Sequence, residues 1–291
     1  MKILNKYLVV VNPISGSKDK TDLIEQIKSF SEKSNIDSFI YETTGTNDKS
    51  EIGKIYKSHK PERVIVAGGD GTLKMVVEAL ENEDVIYGLI PAGSANGFAT
   101  DLNMPNTMEE ILNVAFHNDF SEIDVVEING MKSLHLSDLG LNALLVKNYE
   151  NSDSRGKLGY LQQVIPTLKE AEDVFKATIK TEDSHFECEA KMIVIANSQK
   201  YGTGIVINPI GKLNDGKFEI VVLKSLDFLV IAKIISGNIP ISDDTIEVIS
   251  TSKVEITLKK SVNFQIDGEY FGTIDNLKVD ILKGKIKIAT P

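Results

Sequence analysis

"VIVAGGDGTL", residues 64–73, is the stretch whose reading decides the fold. Small and β-favouring residues run into Gly68 and Gly69, then Asp70, Gly71 and Thr72, after which "LKMVVEAL" (73–80) has helical spacing. Glycine lets a chain turn where a side chain would clash, and it brings backbone N–H groups close to whatever sits there. A helix starting directly behind the turn adds unpaired N–H groups and the positive end of its dipole, a combination suited to phosphate. An ordinary strand-to-helix turn looks the same, so the stretch takes its meaning from its neighbours.

Those neighbours repeat the pattern. "YLVVV" (7–11) is a buried-strand candidate, and "TDLIEQIKSF" (21–30) places Leu23, Ile24, Ile27 and Phe30 on one helical face. "SFIYET" (38–43) precedes a helix carrying Ile52, Ile55 and Tyr56; "RVIVA" (63–67) precedes "LKMVVEAL"; "YGLIP" (87–91) precedes "SANGFATDL" (94–102). Such alternation implies βαβ units and a parallel sheet with right-handed crossovers. Thr107 and Glu110 are spaced as a capping box ahead of a further helix, "ILNVAF" (111–116).

In a parallel sheet every strand-to-helix loop emerges at the same edge, where open α/β sheets bind ligands. Here the loops are "NPISGS" (12–17), "TTGTND" (43–48), "GGDGT" (68–72) and "PAGSANG" (91–97), each joining glycine to small polar residues. Their convergence points to a phosphate-rich ligand. No G-x-x-x-x-G-K-[ST] is present, which excludes a Walker-type nucleotidase, and no G-x-G-x-x-G follows a strand, which argues against a dinucleotide dehydrogenase.

From about residue 121 the pattern becomes antiparallel β. "DVVEING" (124–130) turns at Asn129-Gly130 into "MKSLHL" (131–136), and "DVFKATIK", "FECEAKMIVIA", "KVEITL", "VNFQI", "EYFG", "LKVDIL" and "KIKIA" continue in that style, with helical stretches near 157–171 and 226–236. The expected organisation is an α/β plus β chain. Residues 1–124 form a Rossmann-like, three-layer parallel-sheet nucleotide domain, to which a C-terminal strand at about 284–291 returns; residues 125–283 form an antiparallel β-rich sandwich domain for the substrate.

Charge and composition narrow the function. The chain has 291 residues and a formal net charge of −10, with a pI near 5.0, which argues against a sequence-independent grip on nucleic acid. Cys188 is the only cysteine, so no intrachain disulfide can form; its alternation with Phe186, Ala190 and Met192 places it on the apolar face of a strand. The four histidines show no ligand spacing. "FLVIAKIISG" (228–237) is too short for a membrane span and is broken by Lys233. These features predict a cytoplasmic protein. Its helix "YLQQVIPTLKEAE" (160–172) faces either core or lipid, and Lys147, Arg155 and Lys157 offer charge to an anionic surface in transient, peripheral contact. The many β runs leave edges that a homodimer would cover.

The loops also resemble those of the diacylglycerol kinase catalytic family, which includes bacterial lipid kinases and sphingosine kinases. "NPISG" resembles its first nucleotide loop, "GGDGT" its glycine signature and "PAGSANGFA" its third loop; "KLGYL", "NDGKFEIVVLK" and "IDGE" follow in order. "GGDGT" is shared with NAD kinases and phosphofructokinases, whereas the third loop is the more discriminating. The resemblance implies that Asn12 and Pro13 border ATP, with Thr43 in the second loop. It further implies that Gly68, Gly69, Asp70, Gly71 and Thr72 wrap the phosphates, that Ser94 touches them, and that Asp70 acts through Mg2+. Ser94 stands where the family usually has threonine, and Gly97 where aspartate is common.

In the second domain the resemblance implies Glu269 as general base, with Asp267 beside it, and a structural Mg2+ held by Asp215 and the backbone carbonyls of Lys212 and Lys217. Read without the family, "QIDGEYF" is an ordinary Asp-Gly hairpin and "NDGKF" a turn. The implied activity is transfer of the γ-phosphate of ATP to a hydroxyl of diacylglycerol or a related lipid. Kinase action on a soluble alcohol such as NAD, and a regulator that binds nucleotide or lipid without catalysis, are the alternatives.

Overall fold

The computed structural model describes residues 5–17, 19–94, 96–150, 174–200, 206–225 and 244–291. The helices expected near 157–171 and 226–236, the "KLGYL" stretch, Arg155 and Lys157 lie outside the described residues, as does the side chain of Lys147. The chain divides into two compact units, Met1–Ile123 with Ile286–Pro291, and Asp124–Lys285.

The first unit is the parallel α/β element that the strand–helix alternation predicts. Its strands β1 (Asn5–Val11), β2 (Ile36–Glu42), β3 (Arg63–Gly68) and β4 (Ile86–Pro91) pair in the order β4-β3-β1-β2, all parallel. β1 is buried continuously from Tyr7 to Val11, as befits a strand covered on both faces. Between the strands run α1 (Thr21–Lys33), α2 (Asp48–His59) and α3 (Asp70–Ala79), followed by the short α4 (Gly97–Asp101) and α5 (Met108–His117). Leu23 and Ile27 of α1 share a core with Ile111, Leu112 and Phe116 of α5 and with Val9, Val11 and Ile65 of the sheet. The step from β1 to β2 goes one way along the sheet, and β3 and β4 lie on the other side of β1. Right-handed crossovers therefore put α2 and α3 on the face opposite α1, where they pack on each other and on β1 and β3. That reversal places the topological switch point beside the ends of β1 and β3, at "NPISGS" and "GGDGT".

The capping residue predicted for α5 does its work: Thr107 Oγ1 accepts the Glu110 N–H at 3.4 Å and donates to Glu110 Oε2 at 2.5 Å. Gly88, in the middle of β4, is what lets α5 lie so close. A Cβ there would stand 2.4 Å from Ala115 O and 2.7 Å from Ile65 Cδ1. Gly88→Ala is expected to destabilise the protein by about 1–3 kcal/mol through overpacking, read as a lower urea midpoint; an unchanged midpoint would show that the helix moves away at no cost.

The second unit is an antiparallel β sandwich. Its elements are β5 (Phe120–Ile128), β6 (Met131–Ser133), β7 (Leu136–Gly140), α6 (Leu141–Glu150), β8 (Phe175–Thr181), β9 (His185–Ala190), β10 (Met192–Ala196), β11 (Phe218–Leu223), β12 (Ile246–Thr251), β13 (Lys253–Ile266) and β14 (Glu269–Ala289). β5 begins and β14 ends in the first unit's residues. The strands run β12-β11-β10-β7-β13-β14, each pair antiparallel, while β8 joins β13 to β9 and β5 joins β14 to β6. The last residues of β14 belong to the first unit, where Lys287 and Ile288 pair in parallel with Ile86 and Tyr87 of β4.

Several boundaries differ from the sequence reading. "KVEITL" and "VNFQI" are one strand, β13, with a register shift between Thr257 and Val262, and "EYFG", "LKVDIL" and "KIKIA" are all β14. "FECEAKMIVIA" is two strands. Alternation holds through β9 and stops at Met192, because β10 is buried on both faces: Ile193 and Ile195 enter one core, Met192 and Val194 another. "MKSLHL" also breaks, with β6 ending at Ser133 and β7 starting at Leu136. Asn129-Gly130 does form the expected turn, at φ 49° and 82°. Cys188 packs against the larger core as expected, and burial, then the Glu247 charge, pushes its thiol up to about 11.

Candidate active site

Three of the four loops at the edge of the first unit's sheet are tied together by side chains. Asn12 continues the β1–β3 ladder, its N–H on Ala67 O at 2.9 Å, and its Nδ2 donates to Thr72 Oγ1 of α3 at 3.1 Å. Its Oδ1 accepts the Ile14 N–H, so this one side chain shapes its own turn and holds the glycine loop. Ala92 O, just past β4, accepts Ser15 Oγ at 3.1 Å and the buried Lys20 Nζ at 3.0 Å. A Cβ on Gly16, at φ 65°, would fall 2.7 Å from that same carbonyl oxygen, so only glycine fits.

Asp70 opens α3 and reaches forward to the next loop. Its Oδ2 accepts the Gly97 N–H at 2.8 Å and its Oδ1 the Phe98 N–H at 3.1 Å, which caps α4 with a carboxylate. Gly97 thus takes part through its backbone N–H. Gly68 is crowded, a Cβ falling 2.5 Å from Thr72 Oγ1, whereas nothing lies within 4 Å of a Cβ on Gly71. Glycine at 68 serves the fold and glycine at 71 leaves room. Pro13 and Gly69 are half-buried, Gly69 being the N-cap of α3, and Ser94 is exposed.

The second loop is built around a residue that the sequence reading passed over. Asp48 is 5% exposed; its carboxylate accepts the Thr44 and Gly45 N–H groups at 2.9 and 2.8 Å and the Tyr41 hydroxyl at 2.7 Å. Thr43 is buried, its N–H on Val11 O. Burial alone would raise the Asp48 pKa, but the bonds from Thr44, Tyr41 and Gly45 together hold it below the usual carboxylate value. A depressed pKa stabilises the folded state fully above the unfolded value, about 3.9, and the contribution fades as pH falls through the folded one. Asp48→Asn is therefore expected to cost about 1–3 kcal/mol near neutral pH, with the gap to wild type closing in acid. Denaturant unfolding at several pH values checks this, and a gap that widens in acid would contradict it.

In the second unit, Asp267 and Gly268 make the tight turn from β13 to β14, at φ 51° and 85°. Asp267 is fully engaged: Ser133 Oγ at 2.8 Å, His135 N–H at 2.9 Å and Leu134 N–H at 3.1 Å all donate to its carboxylate. This is what interrupts "MKSLHL", since Leu134 and His135 turn their amides to Asp267. Glu269, two residues on, is exposed at the start of β14. The turn reading and the presentation of a carboxylate hold together here.

The 212–217 loop hangs on another buried carboxylate. Asp124 accepts Gly216 N–H at 2.6 Å and Gly284 N–H at 2.7 Å, and its own N–H donates to Leu213 O. Lys212, Asp215 and Lys217 are exposed, and Asp215 Oδ1 accepts the Lys217 N–H at 3.1 Å. One carboxylate and main-chain carbonyls are the hard oxygen donors that Mg2+ takes. The side chain of Lys283 lies over the same turn, with Cε 2.6 Å from where a Cβ on Gly216 would be. Among the described residues no group of three or more His, Cys, Asp or Glu side chains is placed to hold a metal.

Comparison with known proteins places this arrangement in a family. Residues 6–128 match the diacylglycerol kinase catalytic domain, and residues 138–290 match the YegS C-terminal NAD kinase beta sandwich-like domain. The chain belongs to the diacylglycerol kinase and YegS-like lipid kinase family. Within it, the chain is 24% identical to a diacylglycerol kinase of Bacillus subtilis over 96% of this chain and 95% of that protein. It is 25% identical to the lipid kinase YegS of Escherichia coli K12 over 78% of each. A crystal structure of a diacylglycerol kinase from Bacillus anthracis superposes with a TM-score of 0.78 at 20% identity, covering 100% of this chain and 98% of that one. The family's two parts fall on the α/β element and on the β sandwich, so the glycine loops and the "IDGE" turn belong to different matched domains.

Proposed function

We propose that the chain is an ATP-dependent lipid kinase that transfers the γ-phosphate of ATP to a hydroxyl of diacylglycerol or a related lipid. The observation that carries this reading is the set of loops at the switch point of the α/β unit. Asn12, Ser15, Lys20, Thr72, Ala92 and Asp70 knit them to one another, while the start of α3 and the open space beside Gly71 offer phosphate a place. Gly68, Gly69, Gly71 and Thr72 cradle the triphosphate, with Asn12, Pro13, Thr43 and Ser94 bordering the nucleotide.

Asp70 would supply the carboxylate for the Mg2+ that travels with ATP, which would contribute neutralisation of the charge developing on the phosphates. A carboxylate is the hard oxygen donor that Mg2+ takes, so the residue type fits the ion. Asp215, with the Lys212 and Lys217 carbonyls, would hold a second, structural Mg2+. In the β unit Glu269 accepts the proton of the lipid hydroxyl as its oxygen attacks the γ-phosphorus and ADP leaves, and Asp267 holds the turn that presents it. No helix among the described residues is long and apolar enough to cross a membrane; the lipid is met at the membrane surface in transient contact.

A soluble alcohol is the second reading, favoured by the NAD kinase likeness of the C-terminal domain. One experiment separates the two. Purified protein is incubated with γ-labelled ATP and Mg2+, against lipids in mixed micelles and against NAD and small alcohols in buffer, with mass-spectrometric detection of product. Product from a micellar lipid alone is the expected result. Product from NAD alone would replace the proposal with the second reading, and none from any acceptor would leave a nucleotide-binding regulator.

A further inference from the structure

The turn that carries Glu269 rests on a buried line of hydrogen bonds that the reaction above does not use. Gly268 N–H donates to Gln265 Oε1 at 2.7 Å. Gln265 Nε2 donates to Asp138 Oδ2 at 2.5 Å, and the same oxygen accepts Asn142 Nδ2 at 2.6 Å. Gln265 is 1% exposed and Asp138 0%. The two sit opposite each other where β13 pairs with β7, and Asn142 is the second residue of α6. The line therefore runs from the first turn of a helix, through two strands of the sheet, into the amide between Asp267 and Glu269.

The chemistry of this line is specific. At position 265 the side chain has to accept a hydrogen bond at one end, from an amide, and donate one at the other, to a carboxylate. Glutamine does both; glutamate sets two carboxylates against each other; methionine leaves the Gly268 N–H without its acceptor and Asp138 short of a donor. A buried carboxylate bonded to side-chain amides is also costly to place unless its geometry is kept. A surface hairpin needs none of this, because its Asp-Gly turn forms on local preference.

We infer that Gln265 and Asp138 are positioning residues for the proposed general base: together they fix the Asp267-Gly268 turn and hence the direction in which Glu269 leaves β14. The inference rests on Glu269 as the base. A base works only within about 2.6–3.2 Å of the proton it takes, and a misplacement of about 1 Å costs on the order of 10²-fold in rate.

The test is a swap measured as lipid phosphorylation. Gln265→Glu and Gln265→Met are each expected to lower kcat about 10- to 100-fold with KM for ATP unchanged, in protein whose thermal melting shows it folded. The double variant Asp138→Asn/Gln265→Glu exchanges donor and acceptor: the new amide at 138 donates to the new carboxylate at 265, which still accepts the Gly268 N–H. It is expected to recover kcat to within a few fold, a coupling that two independent losses would not show. Wild-type kcat in both folded single variants, or a double variant as slow as Gln265→Glu, overturns the inference. Glu269→Gln is run alongside. If it keeps wild-type kcat, the base assignment falls and takes the inference with it; if it is slow while the Gln265 variants are fast, the inference alone is wrong.

Discussion

Glu269→Gln lowers kcat for lipid phosphorylation by about 10²- to 10⁴-fold, the contribution expected of a positioned general base, and leaves KM for ATP at the wild-type value. Glutamine keeps the size and shape of the side chain but cannot take a proton from an alcohol. An exposed position at the first residue of β14 means that the exchange disturbs little packing, so the loss is not one of folding; surface changes of this kind fall within about 0.5 kcal/mol. The prediction is checked by steady-state kinetics with both substrates varied and by a melting curve. A variant that turns over at the wild-type rate would remove Glu269 from the chemistry and leave the hairpin as a hairpin.

Asp70→Asn is expected to act on the other substrate. One carboxylate accepts both the Gly97 and the Phe98 N–H, and the carboxamide has a single oxygen, so one of the two amides is left facing an NH2 group. A hydrogen bond to a charged group contributes about 1.5–3 kcal/mol, which corresponds to about 10- to 100-fold in ATP affinity if the loop after β4 loses its place. The loss of the charge that the proposed Mg2+ needs adds to this. KM for ATP should rise and kcat fall, and Asp70→Ala should be no better, because the carboxylate itself is what spans the two loops. Wild-type KM for ATP in Asp70→Asn would show that the cap and the nucleotide are unrelated.

The architecture was legible because its signals were local. Period-2 and period-3.6 patterns around "VIVAGGDGTL" fix the parallel unit, and topology alone then brings the glycine loops to one edge. The same locality explains what was missed. Asp48 and Lys20 look like solvated charges in sequence, and only the folded loops reveal that both are buried. Asp124 acts across 92 and 160 residues of sequence, and Asp138 and Gln265 meet across 127, which no window of residues contains. The split of "MKSLHL" has the same origin, since Asp267 draws Leu134 and His135 away from the strand. The long β13 and β14 were read as fragments because their exposed polar positions look like ends when the partner strand is unknown.

Nucleotide binding is thus assigned to the glycine loops of the α/β unit and proton transfer to Glu269 of the β unit. Calorimetric titration of ATP with Mg2+ into wild type, Glu269→Gln and Asp70→Asn tests it most directly. The expected result is equal affinity for wild type and Glu269→Gln and an affinity at least about tenfold weaker for Asp70→Asn. Undiminished binding by Asp70→Asn, or lost binding by Glu269→Gln, would contradict that assignment.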